Sequence, residues 1–152
     1  MQFSNSLVVR RPPEDVFHAL ADPGLIPRWN PAISAARPMT PGPFRQGSRI
    51  QLQRRSPQPA TEEIEVTEYA APSRLVFRGD VGPFHGDLVY ELEALPEGTR
   101  LTNRADLEAS GPLRLLAPLA AGRVRASVAD NLEALRRLLE ASITHESAPP
   151  ER

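Results

Sequence analysis

Two polar side chains stand where an apolar inner surface is expected, and they carry whatever chemistry this sequence holds. From Arg100 to Ala109 the residues alternate, with Leu101, Asn103, Ala105 and Leu107 on one side and Arg100, Thr102, Arg104, Asp106 and Glu108 on the other. Asn103 therefore shares the apolar face. A buried amide must find partners or cost on the order of 1–3 kcal/mol. It either bonds to a neighbouring loop or offers a polar contact inside a cavity, and the pattern leaves both open. Tyr90 lies on the apolar side of the preceding segment with Leu88 and Leu92, and its hydroxyl also needs a partner. It could donate to a ligand carbonyl or reach a wet rim. Trp29 closes a short helical stretch and is either a wall of the same space or a packing plug.

The remaining candidates offer less. Arg54 and Glu68 have inward phase but fall near strand ends, which predicts rim positions in contact with water. His18, His85 and His145 are far apart with no paired ligand spacing, so no metal site is expected. There is no GxGxxG, GxxxxGK[ST] or GxSxG pattern. No cofactor is expected and no residue is assigned a catalytic role. Arg123 and Arg125 read as solvated, paired with strand acids, or available to a ligand carboxylate.

The elements that must position these side chains follow from periodicity. Phe3, Asn5, Leu7 and Val9 mark a strand over 2–10, and Pro12-Pro13-Glu14-Asp15 opens a helix that Asp22-Pro23-Gly24 stops. A short helix over 25–29 follows. Strands are predicted at 32–39 (Ile33, Ala35 and Met39 on one side), 47–55, 61–69, 74–79, 84–94 and 100–109. Their one-sided alternation means antiparallel pairing with one wet face. From Pro112 to about Ala141 the apolar period becomes helical, with Pro118 set to kink or break the helix near Leu115.

The 152 residues fit one domain, taken as 1–144 with a polar tail over 145–152. Eighteen basic and nineteen acidic residues, with no basic stripe, argue against a nucleic-acid partner. No apolar run approaches the ~18 residues of a membrane span, and no signal sequence is evident. With no cysteine, the expected place is the cytoplasm.

Beyond periodicity, PPEDVF at 12–17, Trp29-Asn30-Pro31, EYAAPSRLVF at 68–77, LPEGTRLT at 95–102 and the closing helix from Gly111 resemble the START-like (SRPBCC, Bet v 1-like) superfamily. The match is to its bacterial polyketide cyclase/dehydrase-like branch. The resemblance implies a seven-stranded sheet gripping a C-terminal helix around a ligand cavity. It implies several functions: aromatic polyketide cyclases, lipid and quinone carriers, hormone-binding proteins and chaperone ATPase activators. The cyclases use an inward arginine with hydroxyl partners on the central strands. The matching strands here, 61–69 and 74–79, hold no inward arginine with a serine two residues away, so no catalytic role transfers.

The expected architecture is thus α+β: a curved antiparallel sheet of six to seven strands around a long C-terminal helix, with two short helices after strand 1 and an internal apolar cavity. Small residues on the first half of the long helix place the hollow there, lined by Trp29, Phe77, Leu88, Tyr90, Asn103, Leu107, Leu116 and Ala120. The expected function is binding of a small hydrophobic molecule that is polyketide-, lipid- or quinone-like. The alternatives are a cyclase or dehydratase acting in the same cavity and a protein-interaction module. A homodimer is compatible with this reading.

Overall fold

The computed structural model describes residues 1–109 and 111–146. Seven strands form one antiparallel sheet: β1 (Gln2–Val9), β2 (Ile33–Pro38), β3 (Arg49–Arg54), β4 (Ala60–Ala70), β5 (Arg74–Val81), β6 (Phe84–Leu95) and β7 (Gly98–Ala109). Their spatial order is β1-β7-β6-β5-β4-β3-β2. Hairpins link β2 through β7 in sequence order. The chain's first strand returns to the far edge beside β7, so β1 and β2, adjacent in sequence, lie at opposite edges.

The connection between those edges is helical. Helix α1 (Pro13–Leu20) begins with a proline and two acids in its first turn, and it buries Val16, Phe17, Ala19 and Leu20. A 3-10 turn (Pro23–Leu25) is capped by Asp22, which accepts from the Gly24 N–H at 2.9 Å. Helix α2 (Ile26–Trp29) follows and buries Ile26 and Trp29.

The long helix begins later and ends later than its periodicity predicts. A 3-10 stretch occupies Gly111–Leu115, and α3 runs from Ala117 to Glu146. The break comes at Leu116, where Pro118 cannot supply an N–H to an earlier turn. His145, expected in a tail, lies in the last turn of α3; the remainder of that tail lies outside the described residues.

Two bulges shift strand phase. One lies between Ile33 and Ala35, so Ala36, not Ala35, packs on the core, and Met39 is exposed beyond the strand. The other lies between Val66 and Glu68. Each adds a residue to one strand, which turns every later side chain over. Glu68 therefore leaves the inner phase and pairs with Arg74, Oε2 to Nε at 2.9 Å, while Tyr69 turns inward against Phe17.

Gly79 and Gly86 face each other across β5 and β6. A Cβ on Gly79 would lie 2.3 Å from the Glu63 carbonyl oxygen of β4, and one on Gly86 would lie 2.0 Å from that of Asp106 on β7. Four strands close up at this row, where the sheet bends, and only residues without a side chain allow it.

Helix α3 is held by one half. Val128, Leu132, Leu135 and Leu139 are buried, on a stripe that packs with α2, α1 and β1. Polar bonds fix the same end. The Arg10 N–H donates to Glu140 Oε1 at 3.0 Å, and Arg11 Nη1 donates to the Leu139 carbonyl at 3.2 Å. Arg11 also pairs with Asp15 at 2.7 Å, and Thr99 donates to the Arg11 carbonyl at 2.7 Å. We predict that Leu132→Ala and Leu135→Ala each destabilise the fold by about 2–5 kcal/mol, as large-to-small changes in a buried stripe do. Denaturant melts check this, and unmoved midpoints would mean that α3 docks by another face.

Candidate functional site

The inner face of the sheet carries a polar row across three adjacent strands. Asn5 on β1 is the register partner of Asn103 on β7, and Asn103 is the partner of Tyr90 on β6. In an antiparallel pair such partners share one face and nearly touch. The β6–β7 ladder runs without a bulge from Phe84 to Gly98, which is why simple alternation placed Tyr90 and Asn103 correctly.

Asn103 is 0% exposed, and neither its Nδ2 nor its Oδ1 has a hydrogen-bond partner among the described residues. The loop bond considered for it is not made. Tyr90 is buried, and desolvation of the phenolate pushes its pKa well above the ordinary tyrosine value. It stays a protonated donor, and no hydrogen bond from the described residues reaches its hydroxyl. Asn5 is half-buried and donates through Nδ2 to the Arg125 carbonyl at 3.3 Å, which ties β1 to the first half of α3.

The hydrophobic core divides at this row. Leu101, Tyr90 and Leu92 belong to the main cluster with Trp29, Phe77 and the buried stripe of α3. Phe84, Ala105 and Leu107 form a second cluster, flanked by Ala117, Ala120 and Val124 of α3. Asn103 lies between Leu101 and Ala105, one residue on each side in the inward phase. Leu88, also inward, touches both clusters and is only partly buried.

Of the eight residues expected to line a hollow, the structure brings Phe77, Leu88, Tyr90, Asn103, Leu107 and Ala120 onto or beside this inner surface. Trp29 is buried in the main cluster, and its Nε1–H also lacks a partner among the described residues. Leu116 is not brought in. It is 54% exposed at the break before α3, and Ala117 takes the inward place.

Sequence reading missed three features. Asn5 was legible, since its phase was already inward. Arg54 and Glu62 form an inward ion pair, Nε to Oε1 at 2.7 Å, with side chains only 11% and 4% exposed. Glu62 Oε2 also accepts from the Gly82 N–H at 2.9 Å, so Arg54 is an enclosed strut between strands instead of a wet rim residue. The third feature is a line of rings. Phe44 meets Tyr69 at 6.0 Å and Phe77 at 6.3 Å, and Phe77 meets Tyr90 edge-on at 6.1 Å. Phe44 and Tyr69 also line a surface pocket of about 550 Å³ beside His18, Asp22 and Ile50. The rings thus lead from that pocket to the polar row.

On the outer face, a pocket of about 680 Å³ gathers Asp80, His85, Asp87, Asp106 and Glu108. Two of these acids have partners there: Asp80 Oδ1 lies 3.1 Å from His85 Nδ1, and Asp87 pairs with Arg78 at 3.0 Å. Among the described residues, no cluster of histidine, cysteine and acid side chains could hold a metal ion.

Residues 1–140 match the family described as polyketide cyclase / dehydrase and lipid transport. The chain belongs to this family. It is 31% identical over 118 residues to the uncharacterized protein Rv2574 of Mycobacterium tuberculosis, covering 74% of this chain and 68% of that one. A conserved protein from Geobacillus kaustophilus superposes with a TM-score of 0.75 at 17% identity, over 93% of this chain and 97% of the other. Ara h 8.0201 superposes with a TM-score of 0.72 at 14% identity, over 93% and 98%. Both solved structures thus share the fold found here, a sheet gripping a C-terminal helix. At such identities the solved structures speak for the fold alone.

Two predictions follow from the row. Asn103→Leu should stabilise the unliganded protein by about 1–3 kcal/mol, because it removes a buried amide that has no partner. A melt that falls instead would mean that the amide is satisfied within the protein. The second concerns pH. Tyr90 ionises in the unfolded chain near pH 10 but is held protonated in the fold. Its contribution to stability is intact below pH ~10 and is lost as pH rises through the folded value. In a Tyr69→Phe protein, phenolate absorbance near 295 nm should appear only with unfolding. Phenolate forming near pH 10 in the folded protein would contradict the burial.

Proposed function

We propose that this protein binds a small hydrophobic molecule carrying at least one polar group, of the polyketide, lipid or quinone-like kind. The molecule lies between the inner sheet face and the first half of α3. The observation that carries the reading is Asn103, wholly buried with both amide atoms unpartnered at the point where the core divides. Native proteins leave few such groups without a partner, and a ligand is the partner that a binding site supplies.

The apolar part of the ligand would lie on Phe77, Leu88, Leu107 and Ala120. Each 100 Å² of apolar surface buried there contributes about 2.5 kcal/mol before the costs of association. Asn103 can both donate and accept, and Tyr90 donates, so the row suits a carbonyl or hydroxyl. The family description, with its cyclases, dehydrases and lipid transport, supports a hydrophobic ligand of this kind. A second reading, a cyclase or dehydratase, rests on the same pair: a protonated phenol beside an amide can polarise a ligand carbonyl.

Ala120 tests the place. It is partly buried on the helix side of the second cluster. Ala120→Phe should keep the melting temperature near wild type while abolishing binding of an apolar fluorescent probe such as anilinonaphthalene sulfonate. A filled core would respond differently: overpacking costs about 1–3 kcal/mol. A wild-type protein that never binds the probe, with a variant destabilised by that much, would end the proposal.

A further inference from the structure

The buried polar and charged side chains among the described residues are Ser48, Glu62, Thr99 and Asn103. Three of them are bonded. Ser48 accepts from the Arg45 N–H at 2.9 Å, Glu62 is matched by Arg54, and Thr99 donates to the Arg11 carbonyl. Of the four, only Asn103 has no partner among the described residues. The arginines that come nearest to burial each meet an acid: Arg54 meets Glu62, Arg11 meets Asp15 and Arg136 meets Glu133. The Arg54–Glu62 pair also stands far from Asn103. Glu62 holds the Gly82 N–H in the turn before Phe84, and Phe84 is six residues from Tyr90 along β6, about 20 Å. The Met1 ammonium, four residues before Asn5, donates to the Leu107 carbonyl at 2.9 Å. Arg123 and Arg125 of α3 are exposed. Read from β6 to β1, the polar row is neutral and ordered. It offers the Tyr90 hydroxyl, then the Asn103 amide with a donor beside an acceptor, then Asn5 Oδ1, since Asn5 Nδ2 is spent on the Arg125 carbonyl.

We infer that this row selects an uncharged ligand group with a hydrogen-bond donor beside an acceptor, and that it turns carboxylates away. A carboxamide, a lactam and the enol of a β-dicarbonyl are groups of this kind. The inference rests on the ligand reading above and narrows it. The Asn103 amide is completed by a partner that both accepts and donates. A carboxylate offers acceptors alone. It would set its charge against Asn103 Oδ1 and give up its water without meeting a free cation. The Tyr90 hydroxyl is a single neutral donor, too little to replace the hydration of an ion. A ketone lies between these cases, because it satisfies Tyr90 or Asn103 Nδ2 and leaves Asn103 Oδ1 empty.

Three compounds of nearly equal shape test it: naphthalene carboxamide, methyl naphthyl ketone and naphthoate, all substituted at the same ring position. Each displaces N-phenyl-naphthylamine, the uncharged parent of the sulfonate probe, from the full chain at pH ~8, where the acid is ionised. The parent itself should bind more tightly than the sulfonate, whose charge must stay at an opening. The carboxamide should bind most tightly, the ketone about tenfold more weakly, and naphthoate at least ~100-fold more weakly. In Asn103→Leu the carboxamide should lose its lead over the ketone. Naphthoate binding within about tenfold of the carboxamide in wild type would overturn the inference and leave the ligand reading standing, since a cation would then serve the site. A carboxamide lead that survives in Asn103→Leu would overturn it too, as would a bound probe that the carboxamide does not displace. Failure of the wild type to bind the uncharged probe at all would instead remove the ligand reading, and this inference with it.

Discussion

One helix about 10–12 Å wide cannot cover an inner sheet face whose seven strands, spaced ~4.8 Å apart, set their outer axes about 29 Å apart. The fold meets this mismatch unevenly. The bend at Gly79 and Gly86 draws the central strands in, and α1 and α2 cover the end where Trp29 packs. The second half of α3 is sealed by leucines and by the Arg10–Arg11 junction, so stability concentrates there. Its first half packs Ala117, Ala120 and Val124 against the second cluster. The helix thus divides into a half sealed by leucines and a half that presents smaller side chains to the sheet.

The polar row gains its meaning from the division. Were Asn103 inside the leucine-sealed half, its empty amide would be a plain liability. It lies instead between the two core clusters, opposite Tyr90 and Asn5, at the place proposed for the ligand. In the proposed complex the ligand would complete this amide, which would tie ligand binding to folding by mass action. The enclosed Arg54–Glu62 pair shows the contrast. It too is largely enclosed, yet its groups find partners in each other and in the Gly82 N–H, so it reads as a strut.

What could be read from the residues depended on regularity. The β6–β7 pair is long and unbroken, so alternation located Tyr90, Asn103 and Leu107 on the right face. Bulges cannot be seen in one sequence, and each inverted the phase beyond it, moving Glu68 outward and exchanging Ala35 for Ala36. Pro118 signalled a break in the helix but not the rotation it brings, which left Leu116 in water and put Ala117 inside. The ring line through Phe44 depends on how a proline-rich loop folds back on the sheet, a long-range contact with no local periodicity.

The claim that matters most is that the Asn103 amide is completed by a ligand. Its two side-chain N–H resonances, assigned by their loss in an Asn103→Asp spectrum, report this directly. The protein should be titrated with an aryl ketone and, separately, with the matching arene that lacks the carbonyl. The account predicts that the ketone moves the Asn103 N–H resonances strongly, with saturation, while the arene moves them weakly though it enters the same space. Equal small shifts with both compounds, or none with either, would contradict it.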